Sequence, residues 1–315
     1  MSQDYGDVID PEEYNDGLAE HPDIPQADAG IVSLIREKLR GSEKKEFRVL
    51  DLGCGPGRIT QSIAGKLLPV ARQMGVNLEV VGLDISEKFI SYACKNKSGE
   101  AILYEVADFL AREFTDKYDV VLMQGVFHHV PLLDRQAWLE KCRDILSEEG
   151  VVVIGDEFIP DYSSDKERVL KVAAFYAYIV GYALQSKNKP LAKIESMNMV
   201  DDVCAGLPGA GHSNAELISF IQDTSQRIYD CIHREGVEGV QFKSLVSALS
   251  KRIQRIAASL AAADPHDHSR GDYKISILRQ VEELERVGMK LKEQKVYGPQ
   301  RSVGGMGVLS FGIVC

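Results

Sequence analysis

The segment Asp51-Leu52-Gly53-Cys54-Gly55-Pro56-Gly57 holds the densest chemistry of this sequence. It reads D-x-G-x-G-x-G, directly after the apolar run Phe47-Arg48-Val49-Leu50. Glycines at this spacing allow a tight turn and a close approach of backbone to a ligand. The following helix pattern offers free N–H groups and a positive dipole end. The dinucleotide fingerprint is G-x-G-x-x-G, so the spacing argues against NAD. Asp84, with Ile85 beside it, ends the next apolar run, where a carboxylate can accept both hydroxyls of a ribose. Asp108, in Ala107-Asp108-Phe109, can hold the exocyclic amine of an adenine, and Phe109 can lie on its ring. Gln124-Gly125 ends a fourth run. Taken singly, Gly57 could serve helix packing, Asp108 a helix cap and Phe109 the core. The ordered set is what speaks for a ligand.

These positions need strands that end side by side. The pattern supplies them: strands at 47–53, 78–84, 102–108, 118–124 and from Gly150, separated by helices at about 31–39, 59–74, 86–97 and 133–146. Ser86 reads as an N-cap. Tyr118 to Gln124 is apolar throughout, as expected of a strand covered on both faces. Strand–helix repeats of this kind imply a parallel, doubly wound sheet. The pattern breaks after 157. Helix candidates follow at 165–185, from Ser213 (with Glu216 in capping-box spacing) and at 243–263. An amphipathic helix at 275–288 and strands at 289–298 and 307–315 then resume. The expected division is an N-terminal arm at 1–28, a core of 29–157 plus 271–315, and a helical insertion at 158–270.

VLDLGCGPG, VVGLDIS, VADF, YDVVLMQGVFHHV and the strand after LSEEG resemble the ordered motifs of class I, Rossmann-like S-adenosylmethionine (SAM)-dependent methyltransferases. The resemblance covers about 45–157 and, more weakly, 272–315. It implies an α/β fold with a mostly parallel seven-stranded sheet, its last strand antiparallel. It implies SAM as cofactor, held by Asp51, Gly53, Cys54, Gly55 and Gly57 around the methionine, Asp84 and Ile85 at the ribose, Asp108 and Phe109 at the adenine, and Gln124 and Gly125 near the sulfonium.

Methyl transfer from a sulfonium needs alignment of the acceptor and exclusion of water, and a base only if the acceptor must lose a proton. Candidates for that base or for acceptor binding are His129, Glu157 and His212. His128 reads as structural. Asp156 could orient an acceptor or cap the next turn. Pro265-His266-Asp267-His268 offers too few converging ligands for a metal, and none is expected. Phe175, Tyr176, Tyr178 and Tyr182 make the helix at 165–185 apolar almost all round, which suits a lid over an apolar or aromatic acceptor or a homodimer face. Met197 and Met199 could join that wall.

The net charge of −10 and the lack of a dense Lys/Arg cluster speak against a nucleic-acid or anionic-membrane substrate. Cys54, Cys94, Cys142, Cys204, Cys231 and Cys315 form no C-x-x-C pair, which fits reduced thiols and a cytoplasmic location. No signal peptide or membrane span is expected. Residues 1–28, acidic and holding Tyr5 and Tyr14, read as an extended arm or as a segment that folds over a ligand. The leading reading is a methyltransferase acting on O, N or C of a small metabolite. The alternatives are methylation of protein or RNA, and a non-catalytic SAM- or adenosylhomocysteine-binding protein.

Overall fold

The computed structural model describes residues 9–188, 190, 191, 194, 195, 198, 273–300 and 303–314. Helix α1 spans Pro11–Ala19 and α2 spans Ile24–Arg40. The extended-arm reading fails there, and its boundary at 28 falls inside α2. The cause is local. Asp10 accepts hydrogen bonds from the backbone N–H of Glu12 (2.9 Å) and Glu13 (3.2 Å), and Pro11 stands where a helix needs no N–H. Ile24, Ala27, Ile31, Ile35 and Leu39 of α2 then bury one stripe against the sheet.

Strand β1 (Glu46–Leu52), α3 (Arg58–Met74), β2 (Asn77–Asp84), α4 (Glu87–Asn96) and β3 (Ile102–Val106) build the first half. Strand β4 (Tyr118–Gln124), a 3-10 turn at Phe127–His129, α5 (Arg135–Asp144) and β5 (Leu146–Phe158) follow. β5 starts at Leu146, four residues ahead of Gly150. Helix α6 spans Asp165–Gln185, and α7 (Ile277–Arg286), β6 (Met289–Gln300) and β7 (Gly304–Ile313) close the sheet.

The seven strands lie in the order β3-β2-β1-β4-β5-β7-β6. β1, β2, β3, β4 and β5 are parallel, and β7 runs antiparallel to both β5 and β6. Alternate residues of each strand serve opposite faces. Val49, Val80, Val120 and Val153 pack under α2 and α3. Leu50, Val81, Val121 and Val152 pack with Leu139 of α5 and Leu284 of α7. Strand order reverses between β1 and β4, so a crevice opens beyond their carboxyl ends. Helix α6 buries Val172, Phe175, Tyr176, Ile179 and Ala183 within this one chain, while Tyr182 is exposed. No described helix is long and apolar enough to cross a membrane.

Candidate active site

Two cavities open at that crevice. The larger, of about 220 Å³, is lined among others by Tyr14, Gly55, Asp84, Asp108, Phe109 and Trp138. Gly53, Ile85 and Gly125 also face it. The smaller, of about 40 Å³, is lined by Arg58, Gln124, His128, Glu157, Glu195 and Asn198, among others. Tyr14, Gly125 and His129 border both.

In the larger cavity, Asp84 is fixed by the loop it faces. Its carboxylate accepts the N–H of Gly55 at 2.8 Å and of Ser86 at 2.8 Å. A carboxylate oriented by backbone donors keeps lone pairs for two hydroxyls. Asp108 caps its own turn through one oxygen, which accepts from Leu110 N–H at 2.8 Å. The cap reading holds, and Asp108 also lines the cavity. Phe109 likewise belongs to the core, 4.8 Å from the Trp138 ring by centroids, and still forms cavity wall. Gly125 has φ +67°, and a Cβ there would meet nothing within 4 Å and would project into open space. Two carboxylates, Asp84 and Asp108, and apolar walls (Leu83, Ile85, Phe109, Trp138) are the lining a nucleoside needs.

Other members of the expected set sit behind the surface. Gly57, at φ +82°, starts α3, and a Cβ there would come within 2.5 Å of the Tyr104 hydroxyl. Cys54 is buried, and burial pushes its thiol up. Asp51 is also buried. One oxygen accepts from Thr60 Oγ1 at 2.5 Å and the other has no hydrogen-bond partner among the described residues. Burial pushes this carboxyl up to about 7. Gln124 turns toward α2, where its amide donates to Asp28 at 3.0 Å, and so faces the smaller chamber.

The chamber is a charged, largely buried box. Asp156 pairs with the His128 ring Nδ1 and accepts the His128 backbone N–H at 3.0 Å. Asp156 thus sets the orientation of the His128 ring, which also borders the smaller cavity. His129 lies against it at 3.9 Å between ring centroids. Glu157 binds Lys274 Nζ at 2.9 Å, and Lys274, fully buried, also meets the Tyr176 hydroxyl. Burial pushes the Glu157 carboxyl up. Lys274, His21 and His128 outweigh it and hold the group below the ordinary carboxylate range. Arg58 pairs with Asp28 at the chamber mouth.

His21, Glu157 and Glu195 bring one potential metal ligand each to within 4.8 Å of one another. Their chemistry does not fit an ion. His21 Nδ1 accepts the N–H of Asp23 (3.1 Å) and Ile24 (3.2 Å), so Nε2 carries the proton and has no lone pair to give. Glu157 is already neutralised by Lys274.

Sequence reasoning did not single out Arg58, Trp138, His21, Lys274 or Glu195. Trp138 follows α5's start and Arg58 follows Gly57, so both stood next to recognised motifs. The other three carry no local signal. His212, Met197, Met199, the helices from Ser213 and at 243–263, and residues 265–268 lie outside the described residues.

Residues 43–205 match the family model described as a methyltransferase domain. A 158-residue stretch is 32% identical to N-terminal Xaa-Pro-Lys N-methyltransferase 2 of Danio rerio, covering 43% of this chain and 53% of that protein. Another of 131 residues is 28% identical to ubiquinone biosynthesis O-methyltransferase of Glaesserella parasuis, covering 39% and 50%. The chain thus spans about half the length of these curated relatives. Among solved structures, magnesium protoporphyrin IX methyltransferase from Synechocystis PCC 6803 with bound SAH superposes at a TM-score of 0.44, with 13% identity over 91% of this chain and 81% of that one. With the family match spanning more than half of its length, this chain belongs to the methyltransferase-domain family and carries a class I SAM-dependent methyltransferase domain.

Proposed function

We propose that the protein is a SAM-dependent methyltransferase whose acceptor is a small molecule. One observation carries the reading: a cavity lined by Asp84, Asp108 and apolar side chains and a smaller chamber with charged residues share Tyr14, Gly125 and His129. SAM, when bound, supplies a methyl group on a sulfonium that leaves readily.

The chain's own residues hold and orient. Asp84 would take the ribose hydroxyls and Asp108 the adenine amine, with Ile85, Phe109 and Trp138 as walls. The backbone of Gly53, Gly55 and Gly125, above buried Asp51, would face the methionine part. Cys54, Gly57 and Gln124 support that loop and the chamber floor from behind. On the acceptor side Tyr14 and His129 border the junction. His128, oriented by Asp156, is placed to take a proton, and ionised Glu157 to bind a polar group. The chamber is walled on one side by Tyr14 and Leu18 of α1, a helix whose Gly17 packs against Leu191 and Ile194 and accepts from Asn188 at 3.2 Å. That wall supports a small acceptor over a macromolecular one. The relatives' names span N- and O-methyltransferases of proteins and metabolites, so the acceptor is read from the chamber alone.

The test is label transfer from methyl-labelled SAM to a metabolite extract, a peptide library and RNA in parallel. Label in the small-molecule fraction is expected. Label confined to peptide or RNA overturns the acceptor class, and no label in any arm overturns the activity.

A further inference from the structure

We propose that α1 is a strap over the seam between the two cavities, held shut by the bound cofactor through the Tyr14 O–H. This inference rests on the larger cavity being the SAM site. Tyr14 lines both cavities, and its ring edge stands 3.9 Å from where a Cβ on Gly55 would sit. Gly55 is also the donor that holds Asp84, at 2.8 Å, so the phenol lies beside the proposed ribose position. The ring packs on Phe89 of α4 at 5.5 Å between centroids. The hydroxyl makes no hydrogen bond among the described residues. Burial pushes the phenol up, so the oxygen keeps its proton and acts as a donor. The ribose and the methionine carboxylate of the cofactor carry the acceptor oxygens that this donor lacks.

The strap is weakly seated without that partner. Pro11 and Gly17 are the buried residues of α1, and Leu18 is partly buried. Helix α2, by contrast, buries Ile31, Leu34, Ile35 and Leu39 among others. Little apolar area therefore resists the lifting of α1. Closure also carries a penalty. Both amide atoms of Asn15 are buried with no hydrogen-bond partner among the described residues, and water would satisfy them in an opened strap. What holds α1 lies at its ends. Lys88 Nζ donates to the carbonyl of buried Ile9 at 3.2 Å, and Asn188 donates to the Gly17 carbonyl at 3.2 Å. Just beyond, the His21 side chain is fully buried. A segment pinned at both ends and loosely seated between them can open locally and reclose in place. A hydrogen bond from Tyr14 to the cofactor exists in the closed form alone, so binding shifts the strap toward closure.

The experiment follows amide hydrogen exchange of the full chain with and without adenosylhomocysteine, and measures its affinity by calorimetry, in wild type and Tyr14→Phe. Adenosylhomocysteine is expected to slow exchange at residues 53–57 and at 14–19. Tyr14→Phe keeps the ring and removes the donor. It should weaken adenosylhomocysteine about fivefold, the worth of one neutral hydrogen bond, and reduce the slowing at 14–19 by a similar factor while sparing 53–57. Its melting temperature without ligand should match wild type, because the O–H has no partner in the protein to lose. Exchange at 14–19 that ignores the ligand while 53–57 slows overturns the inference, as does an affinity within twofold of wild type in Tyr14→Phe. A lower melting temperature of unliganded Tyr14→Phe overturns it too, since the hydroxyl would then already be engaged. No heat and no slowing at 53–57 overturn the cofactor reading, a result distinct from the failures above.

Discussion

Replacing Asp51 by Asn should flatten the pH dependence of stability near neutrality. Asp51 is 1% exposed, beneath the glycine loop, with one oxygen on Thr60 and the other facing no donor among the described residues. Burial is the largest influence and raises its carboxyl to about 7 from an ordinary 3.8. Thr60 and Arg58 oppose that rise, and Asp84 and Asp28 add to it. The sign follows. The folded state keeps a proton that the unfolded chain has lost, so this contribution is full below the unfolded value and is lost as pH rises through the folded one. At 1.36 kcal/mol per pH unit, the wild type should lose about 3 kcal/mol relative to Asp51→Asn between pH ~5 and pH ~8. The Asn amide is isosteric and neutral throughout. Any fixed penalty for its N–H beside Thr60 displaces the whole curve without changing its slope. Urea unfolding of both proteins at four pH values measures this directly. Curves that stay parallel to within about 0.5 kcal/mol would refute the buried, proton-holding Asp51.

Asp84→Ala removes the acceptor of two loop N–H groups and of the proposed ribose bonds. Adenosylhomocysteine affinity by calorimetry should fall at least ~100-fold, about 3 kcal/mol, and an unchanged affinity refutes the ribose assignment. Trp138 is the chain's one tryptophan and lines the larger cavity, so its emission should change on adding adenosylhomocysteine; a flat titration at saturating ligand would place the ligand elsewhere. Gly57→Ala forces a side chain to φ +82° and toward the Tyr104 hydroxyl, and should destabilise by about 2 kcal/mol or more in denaturant unfolding. Lys274→Met strands a buried carboxylate and should cost about 3–5 kcal/mol, most of it recovered in the double variant with Glu157→Gln; a double variant no better than the single one contradicts the ion pair.

What was legible in the sequence was what topology gathers by rule. A parallel sheet brings the carboxyl ends of successive strands to one edge, so Asp84, Asp108 and Gly125 could be placed from strand ends alone. Asp10-Pro11 carried a helix-start signal too, but the acidic, Gly- and Pro-containing composition around it read as an arm. Composition averages over a segment, whereas a cap acts at one residue. The smaller chamber was not legible, because its charges pair across long sequence separations. Lys274 reads as an ordinary surface lysine in Gly-Asp-Tyr-Lys-Ile-Ser. It is fully buried because Glu157, at the end of β5, faces it.

The segment that carries Lys274 is pinned from several sides. Tyr273 N–H donates to the His128 carbonyl at 2.6 Å, Arg135 donates to the Tyr273 carbonyl at 2.7 Å, and Arg168 to the Lys274 carbonyl at 2.9 Å. Arg135 belongs to α5, which also presents Trp138 to the larger cavity, while His128 and Glu157 line the smaller one. The same few residues therefore brace the wall of one cavity and fix the charge of the other. A change in the 273–276 segment should disturb the charge of the smaller cavity and the packing of the larger one's wall together, a coupling that no reading of local pattern around Lys274 could supply.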